Sequence, residues 1–329
     1  MKRIGIIGGG AWGTALATLA RRNGAEVCLW AREAEVVEAV NREHRNPFFL
    51  PGVELDPAIR ATAEVTEAGR ADAVLLAVPA QHTRAVAEAL APGLAAGVPA
   101  VLCAKGFEQA SGRLMSEIAA ETMPEAPLAV LSGPTFAVEV AEGLPTAATL
   151  ACTDRGRAEA LQRALGGPTF RPYLSEDLGG AQIGGAVKNV LAIACGIVAG
   201  RRLGENAGAA LITRGMAEML RLGGAMGARP ETLMGLSGMG DLVLTATSVR
   251  SRNTALGKAL GEGQALADYL DGRRSVAEGV WTAAALARRA LELDIDMPIA
   301  AAVDRIVNHA ASIDSTIAEI LARPFKDES

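Results

Sequence analysis

Along the first half of the chain, short runs rich in apolar residues alternate with stretches whose apolar positions recur at helical spacing. Arg3 to Ile7, Val27 to Trp30, Ala73 to Val78, Ala100 to Ala104, Leu128 to Leu131 and Ala147 to Ala151 read as strands. Between them, Thr14 to Arg22, Glu33 to Arg42, Thr83 to Leu90, Leu114 to Glu121 and Phe136 to Glu142 read as amphipathic helices. This alternation predicts an α/β domain whose parallel, doubly wound sheet is covered by helices on both faces. From about Gln182 the pattern changes to long Ala- and Leu-rich helical stretches punctuated by Gly-rich turns. The expected division is therefore residues 1–181 and an all-helical C-terminal domain over 182–329, with no internal repeat and no linker.

Length agrees, since 329 residues at roughly 150 per domain give about two domains. Half the residues are apolar and 21% are charged, which excludes a disordered chain. Lys and Arg total 32 against 37 Asp and Glu, for a net charge of -5. That balance and an aromatic share of 3% argue against a nucleic-acid partner and favour a small ligand. Cys28, Cys103, Cys152 and Cys195 are scattered through apolar sequence and read as reduced core residues of a cytoplasmic protein. His44, His82 and His309 show no metal-ligand spacing, so no metal site is expected. The apolar run from Ile4 to Ala20 is broken by clustered glycines, and that from Ile183 to Ala199 carries Lys188 and Asn189. Neither reads as a targeting or membrane-inserted segment. The long apolar helices of the second domain suggest a homodimer.

The clustered glycines carry chemistry. Gly8, Gly10 and Gly13 have G-x-G-x-x-G spacing between a predicted strand and helix, the context of a Rossmann-like dinucleotide site. Gly8 serves a tight turn, Gly10 admits a pyrophosphate to the helix N–H groups, and Gly13 lets helix and strand pack. The second strand ends in Trp30-Ala31-Arg32-Glu33. An Arg at that tip can pair with a 2′-phosphate and favours NADP over NAD; a solvated surface side chain is the alternative. Glu33 reads as the first residue of a helix, a dipole-favoured charge.

Further on, Lys188 lies among apolar residues, with Gly184 one turn earlier leaving room for a ligand. Such an amine either snorkels or, partly desolvated, works as a general acid/base. Asp241 follows a Gly-rich turn and reads as an N-cap. Ser251-Arg252-Asn253 opens a helix with Ser251 as cap, and a helix start bearing Arg and Asn suits a phosphate. Ser275 and Glu278 have capping-box spacing.

Assembled, these residues resemble the bacterial-type NAD(P)-dependent glycerol-3-phosphate dehydrogenases over almost the whole chain. The resemblance is carried by Gly8 to Thr14, Leu50-Pro51-Gly52, Lys105-Gly106, Ser132 to Ala137, Gly185 to Val190, Thr213-Arg214-Gly215, Gly238 to Thr245 and Ser251-Arg252-Asn253. It implies reversible reduction of dihydroxyacetone phosphate to sn-glycerol 3-phosphate for phospholipid synthesis, with Lys188 as acid/base. It further implies substrate contacts from Lys105, Gly133, Thr135, Lys188, Asp241, Ser251, Arg252 and Asn253. Cofactor contacts would come from Ala11, Trp12, Arg32, Lys105, Ala137, Arg252, Val276 and Glu278. Two rival readings are a related dehydrogenase acting on a hydroxy acid and a cofactor-sensing module that has lost catalysis. Retention of Lys188 and Asp241 speaks against a sensor. The two lysines would lower each other's pKa and Asp241 would raise both, a balance that only distances decide.

Overall fold

A computed structural model of the chain describes residues 1–271 and 277–324. Ten strands occur there: β1 (Arg3–Ile7), β2 (Glu26–Trp30), β3 (Arg45–Asn46), β4 (Leu50–Glu54), β5 (Arg60–Thr62), β6 (Ala73–Leu76), β7 (Ala100–Leu102), β8 (Leu128–Ser132), β9 (Thr146–Ala151) and β10 (Phe170–Ser175). Eight of them form one sheet in the order β10-β9-β8-β7-β6-β1-β2-β5, while β3 and β4 pair as a separate antiparallel ribbon. The order reverses at β1, with β2 on one side and β6 on the other. In open α/β sheets ligands bind at such a switch, outside the carboxyl ends of the strands.

The expected all-parallel sheet needs one correction, because β8 and β9 run antiparallel and β10 follows β9. The connection between β8 and β9 explains the reversal. Its helix, Ala137–Glu142, has six residues and rises only about 9 Å. A five-residue strand such as β8 covers about 17 Å, so this helix cannot carry the chain back for a parallel return.

Two apolar layers sandwich the sheet, one built on Leu16, Leu19, Leu29 and Val36, the other on Leu76, Leu90, Met115 and Ile118. A third core surrounds the helix Leu178–Gly200, which begins directly after β10 and is buried from Gly180 to Ile197. By length and composition this helix is apolar enough to cross a membrane, but 83% of its most apolar stretch is buried inside the protein. It touches the helix Arg252–Gly261 closely: a Cβ at Gly257 would collide with the Ile193 carbonyl. The approach brings Ser251 to Asn253 beside the buried helix. All four cysteines are buried and free.

Candidate active site

The glycine turn follows β1. Gly8 has φ of 129°, and a Cβ there would stand 2.8 Å from the Ala77 carbonyl oxygen, so only glycine makes this turn. A Cβ at Gly13 would collide with the Gly8 carbonyl, which fits the close packing expected of that position. Around Gly10 a Cβ would meet nothing within 4 Å. The helix Ala11–Arg22 begins at this open space, and no side chain caps it. Its first N–H groups lack intrahelical acceptors, an arrangement suited to an anion. Trp12 Nε1 is buried there without a partner. Open space beside uncapped helix N–H groups is what a pyrophosphate-bearing dinucleotide needs, so the residues present fit NAD(P).

Arg32 lies at the tip of β2 and is paired with Glu33, its Nη2 and Nε donating to Glu33 Oε1 at 2.7 and 3.1 Å. Glu33 is the N-cap of helix Ala34–Glu43 rather than its first residue, and its side chain does not cap. Ala137 opens the helix Ala137–Glu142 and packs with Ala11 and Trp12 against the first core. Val276 and Ser275 lie outside the described residues. The expected capping box of Glu278 with Ser275 thus falls partly outside the described residues; the Glu278 carboxylate accepts from Ala80 N at 2.9 Å, across the molecule, and does not cap the helix Gly279–Glu292 that it precedes. Burial pushes its pKa up against that hydrogen bond and the positive charges of Arg252 and Lys188.

The strongest electrostatic feature is a buried triad. Asp241 Oδ2 is 2.7 Å from Lys105 Nζ and Asp241 Oδ1 is 3.1 Å from Lys188 Nζ. Lys105 Nζ also donates to Gly133 O at 2.8 Å and to Thr135 Oγ1 at 3.4 Å, which brings the β8 loop to the same point. Lys188 is 7% exposed and Asp241 1%. Asp241 is therefore not the expected N-cap. It is the first residue of helix Asp241–Ala246, after a π-helical turn over Leu236–Gly240, and its carboxylate faces the two amines. The Lys188 pKa is lowered to about 8, chiefly by burial, with the Lys105 charge acting in the same direction and Asp241 opposing both. Desolvation thus outweighs the charge pairing. Burial pushes Asp241 the other way, but the Lys105 and Lys188 charges overcome it and hold the carboxyl below its ordinary value.

The space at Gly184 does not face a ligand. A Cβ there would stand 2.6 Å from Ser237 O and 2.8 Å from Gly238 Cα, so the small residue seats the π-helical turn that delivers Asp241.

Ser251 caps its helix as expected, accepting from Thr254 N at 3.3 Å. Asn253 donates to Asn189 Oδ1 at 2.9 Å and accepts from Gly279 N at 3.0 Å. Asn189 in turn donates to Lys105 O at 2.9 Å. Arg252 is exposed at the first position of that helix, where its charge acts on buried Glu278. Two residues of this cluster escaped sequence reasoning. Thr245 accepts from Lys188 Nζ at 2.8 Å and donates to Asp241 Oδ1 at 3.3 Å; its spacing four residues after Asp241 was the available signal. Asn189 ties the segments bearing Lys105, Lys188, Arg252 and Glu278 together, which sequence spacing alone does not show.

Residues 3–158 match the family described as NAD-dependent glycerol-3-phosphate dehydrogenase N-terminus, and residues 177–318 match its C-terminus. Glycerol-3-phosphate dehydrogenase (NAD(P)+) of Parvibaculum lavamentivorans is 58% identical over 328 residues, covering 100% of this chain and 98% of the relative. The enzyme of the same name from Rhodospirillum rubrum is 60% identical over 326 residues, covering 99% and 93%. A crystal structure of glycerol-3-phosphate dehydrogenase from Coxiella burnetii superposes with a TM-score of 0.94 at 37% identity, covering 98% of this chain and 99% of that one. The chain thus belongs to the NAD(P)-dependent glycerol-3-phosphate dehydrogenases, oxidoreductases of two sequence modules that use NAD or NADP.

Proposed function

We propose that the protein reduces dihydroxyacetone phosphate reversibly to sn-glycerol 3-phosphate in the cytoplasm, supplying phospholipid synthesis, with Lys188 as the acid/base. The observation that carries the Lys188 assignment is the buried triad: an amine lowered to about 8 and fixed by Asp241 and Thr245. An amine with that pKa is available in both protonation states near neutral pH, as reversible proton transfer needs. The names of the two bacterial relatives support the substrate.

In this reading, the glycine turn, Ala11, Trp12, Arg32, Lys105, Ala137, Arg252, Val276 and Glu278 hold NAD(P). When bound, the reduced coenzyme supplies the hydride that adds to the ketone carbon. Lys188 donates a proton to the oxygen on which negative charge grows, and takes the hydroxyl proton in the reverse direction. Lys105 stabilises the same oxygen and orients the substrate with Gly133 and Thr135. Asp241 holds both amines in register. Arg252, with the start of its helix and Asn253, binds the phosphate, whose binding energy aligns the carbonyl. Ser251 and Asn253 fix that helix start.

Oxidation of NADPH and NADH followed at the nicotinamide absorbance with dihydroxyacetone phosphate tests this directly. Turnover with that ketone and none with 2-keto acids is the expected result. The opposite pattern would transfer the protein to the hydroxy-acid dehydrogenases.

A further inference from the structure

Resting on the coenzyme reading, we infer that Asn46 is a positioning residue for the dinucleotide: its side chain turns the peptide between Gly9 and Gly10 so that the Gly10 N–H serves the pyrophosphate. Asn46 is fully buried and reaches the glycine turn from the ribbon β3–β4. Asn46 Nδ2 donates to Gly9 O and to Thr14 Oγ1, each at 2.8 Å. Asn46 Oδ1 accepts from Phe49 N at 3.2 Å. One end of the amide thus meets a donor and the other end two acceptors, which fixes its orientation.

The consequence for the turn follows from peptide geometry. A planar trans peptide carries its C=O and N–H on opposite sides. The Gly9 carbonyl is drawn inward to Asn46, so the Gly10 N–H points away from the interior, on the side where the turn opens. There it joins the first N–H groups of helix Ala11–Arg22, which no side chain caps, in a row of donors suited to an anion. Such a hold is needed because Gly8, Gly9 and Gly10 have no side chains to restrict how their peptides rotate.

The ribbon is built to deliver Asn46. Its register pairs Arg45 with Glu54 and Asn46 with Leu50, so the residues between Leu50 and Glu54 bulge out of the ladder. Pro51 has no N–H to give to it, and Gly52 has φ of 81°, a left-handed conformation suited to glycine. Leu50 and Val53 are buried in the same core as Leu16 and Leu19 of the helix that the glycine turn opens. The Leu50-Pro51-Gly52 motif therefore anchors the ribbon against that helix, and Asn46 carries the anchor into the turn.

Equilibrium binding of NADH, NADPH and ADP-ribose, without substrate, tests this in the wild type, Asn46→Leu and Asn46→Ala. Leu keeps the volume and removes the donors, while Ala avoids any clash that Leu introduces. All three ligands carry the pyrophosphate, and each should bind about ten- to hundredfold more weakly, the scale of one charged hydrogen bond. The coenzyme KM should rise with them, while kcat at saturating coenzyme and the KM for dihydroxyacetone phosphate stay within about twofold, a split that general loosening of the fold would not give. A wild-type measurement stands whether or not the variants fold: the Gly10 amide should exchange rapidly with solvent deuterium and become protected by ADP-ribose. Unchanged affinities in a folded variant, equal losses in coenzyme affinity and kcat, or a Gly10 amide already protected without ligand would overturn the inference. Failure of the wild type to bind any of the three ligands would instead overturn the coenzyme site itself.

Discussion

Replacing Asp241 by Asn separates the two influences on the Lys188 amine. The carboxylate is 3.1 Å from Lys188 Nζ and 2.7 Å from Lys105 Nζ, and its side chain is 2% exposed. The Lys188 pKa lies at about 8, lowered chiefly by burial, and Asp241 is the largest influence opposing that fall. An opposite charge at such a distance changes a neighbour's pKa by about 1–3 pH units. Asn keeps the shape and an acceptor for Thr245 but removes the charge, so Lys188 should titrate at about 5–7 in the variant. The sign follows from the proposed role of Lys188: raising the pH strips the proton it would deliver to the ketone, so kcat/KM for reduction should fall through the Lys188 pKa. In wild type that fall is centred near 8, and in Asp241→Asn it should be centred about 1–3 pH units lower. Oxidation, which needs the free amine, should rise over the same interval. The assay is the pH profile of kcat/KM in both directions. Leaving buried amines without their carboxylate also costs about 3–5 kcal/mol of stability, so the profile is taken well below the melting temperature of the variant. A folded variant whose midpoint stays near 8, or moves upward, would refute the electrostatic coupling.

Lys188→Ala should lose at least about 10²–10⁴-fold in turnover with coenzyme affinity little changed, and near-normal turnover at saturating substrate would remove Lys188 from proton transfer. Arg252→Ala should raise the KM for dihydroxyacetone phosphate and lower kcat, while losing much less further activity on dihydroxyacetone, which lacks the phosphate; equal losses on both substrates would place Arg252 elsewhere in the site. Glu218, 1% exposed and accepting from Ile299 N and Ala300 N, has its pKa raised by burial to about 7. Its folded-state pKa exceeds the ordinary 4.5, so its contribution to stability is complete below about 4.5 and is lost as the pH rises to about 7. That interval of 2.5 pH units corresponds to about 3 kcal/mol. Denaturant unfolding at pH 5 and pH 7.5 should therefore show wild type losing more stability than Glu218→Gln on raising the pH, and parallel changes would exclude this role.

Elements with a strong local pattern were legible in the sequence. The six anticipated strands and their intervening helices are present within a few residues, because each is a buried apolar run or an amphipathic stripe. What escaped had weak or divided signals. Strand β5 has three residues, the ribbon β3–β4 contains Pro51 and Gly52, and β10 alternates buried Phe170 and Pro172 with exposed Arg171 and Tyr173 around a proline. The reversal of β9 was hidden because periodicity carries no strand direction. In the site, the glycines, Lys188 and the Ser251 cap were visible from local chemistry. The purpose of Asp241, Gly184 and Glu278 was not, since each meets a partner far away in sequence: Lys105, Ser237 and Ala80. At Asp241 the local capping rule gave the wrong answer because two distant amines competed for the same carboxylate.

That buried cluster also bears on how an acidic protein would hold the doubly charged substrate proposed for it. The chain carries a net charge of -5, yet among the described residues Lys105 and Lys188 share the one carboxylate of Asp241, and the charge of Arg252 acts on Glu278. Burial raises the Glu278 pKa, while the two lysine charges hold that of Asp241 below its ordinary value. Two amines facing one carboxylate leave a positive charge that the phosphate of the proposed substrate would balance. Because Lys188 and Asp241 are nearly dry, salt screens their interaction weakly, whereas the exposed guanidinium of Arg252 lies within reach of ions over a Debye length of about 8 Å. Added salt should then weaken substrate binding through Arg252 and leave the Lys188 midpoint in place, so that phosphate capture and proton transfer respond separately to ionic strength.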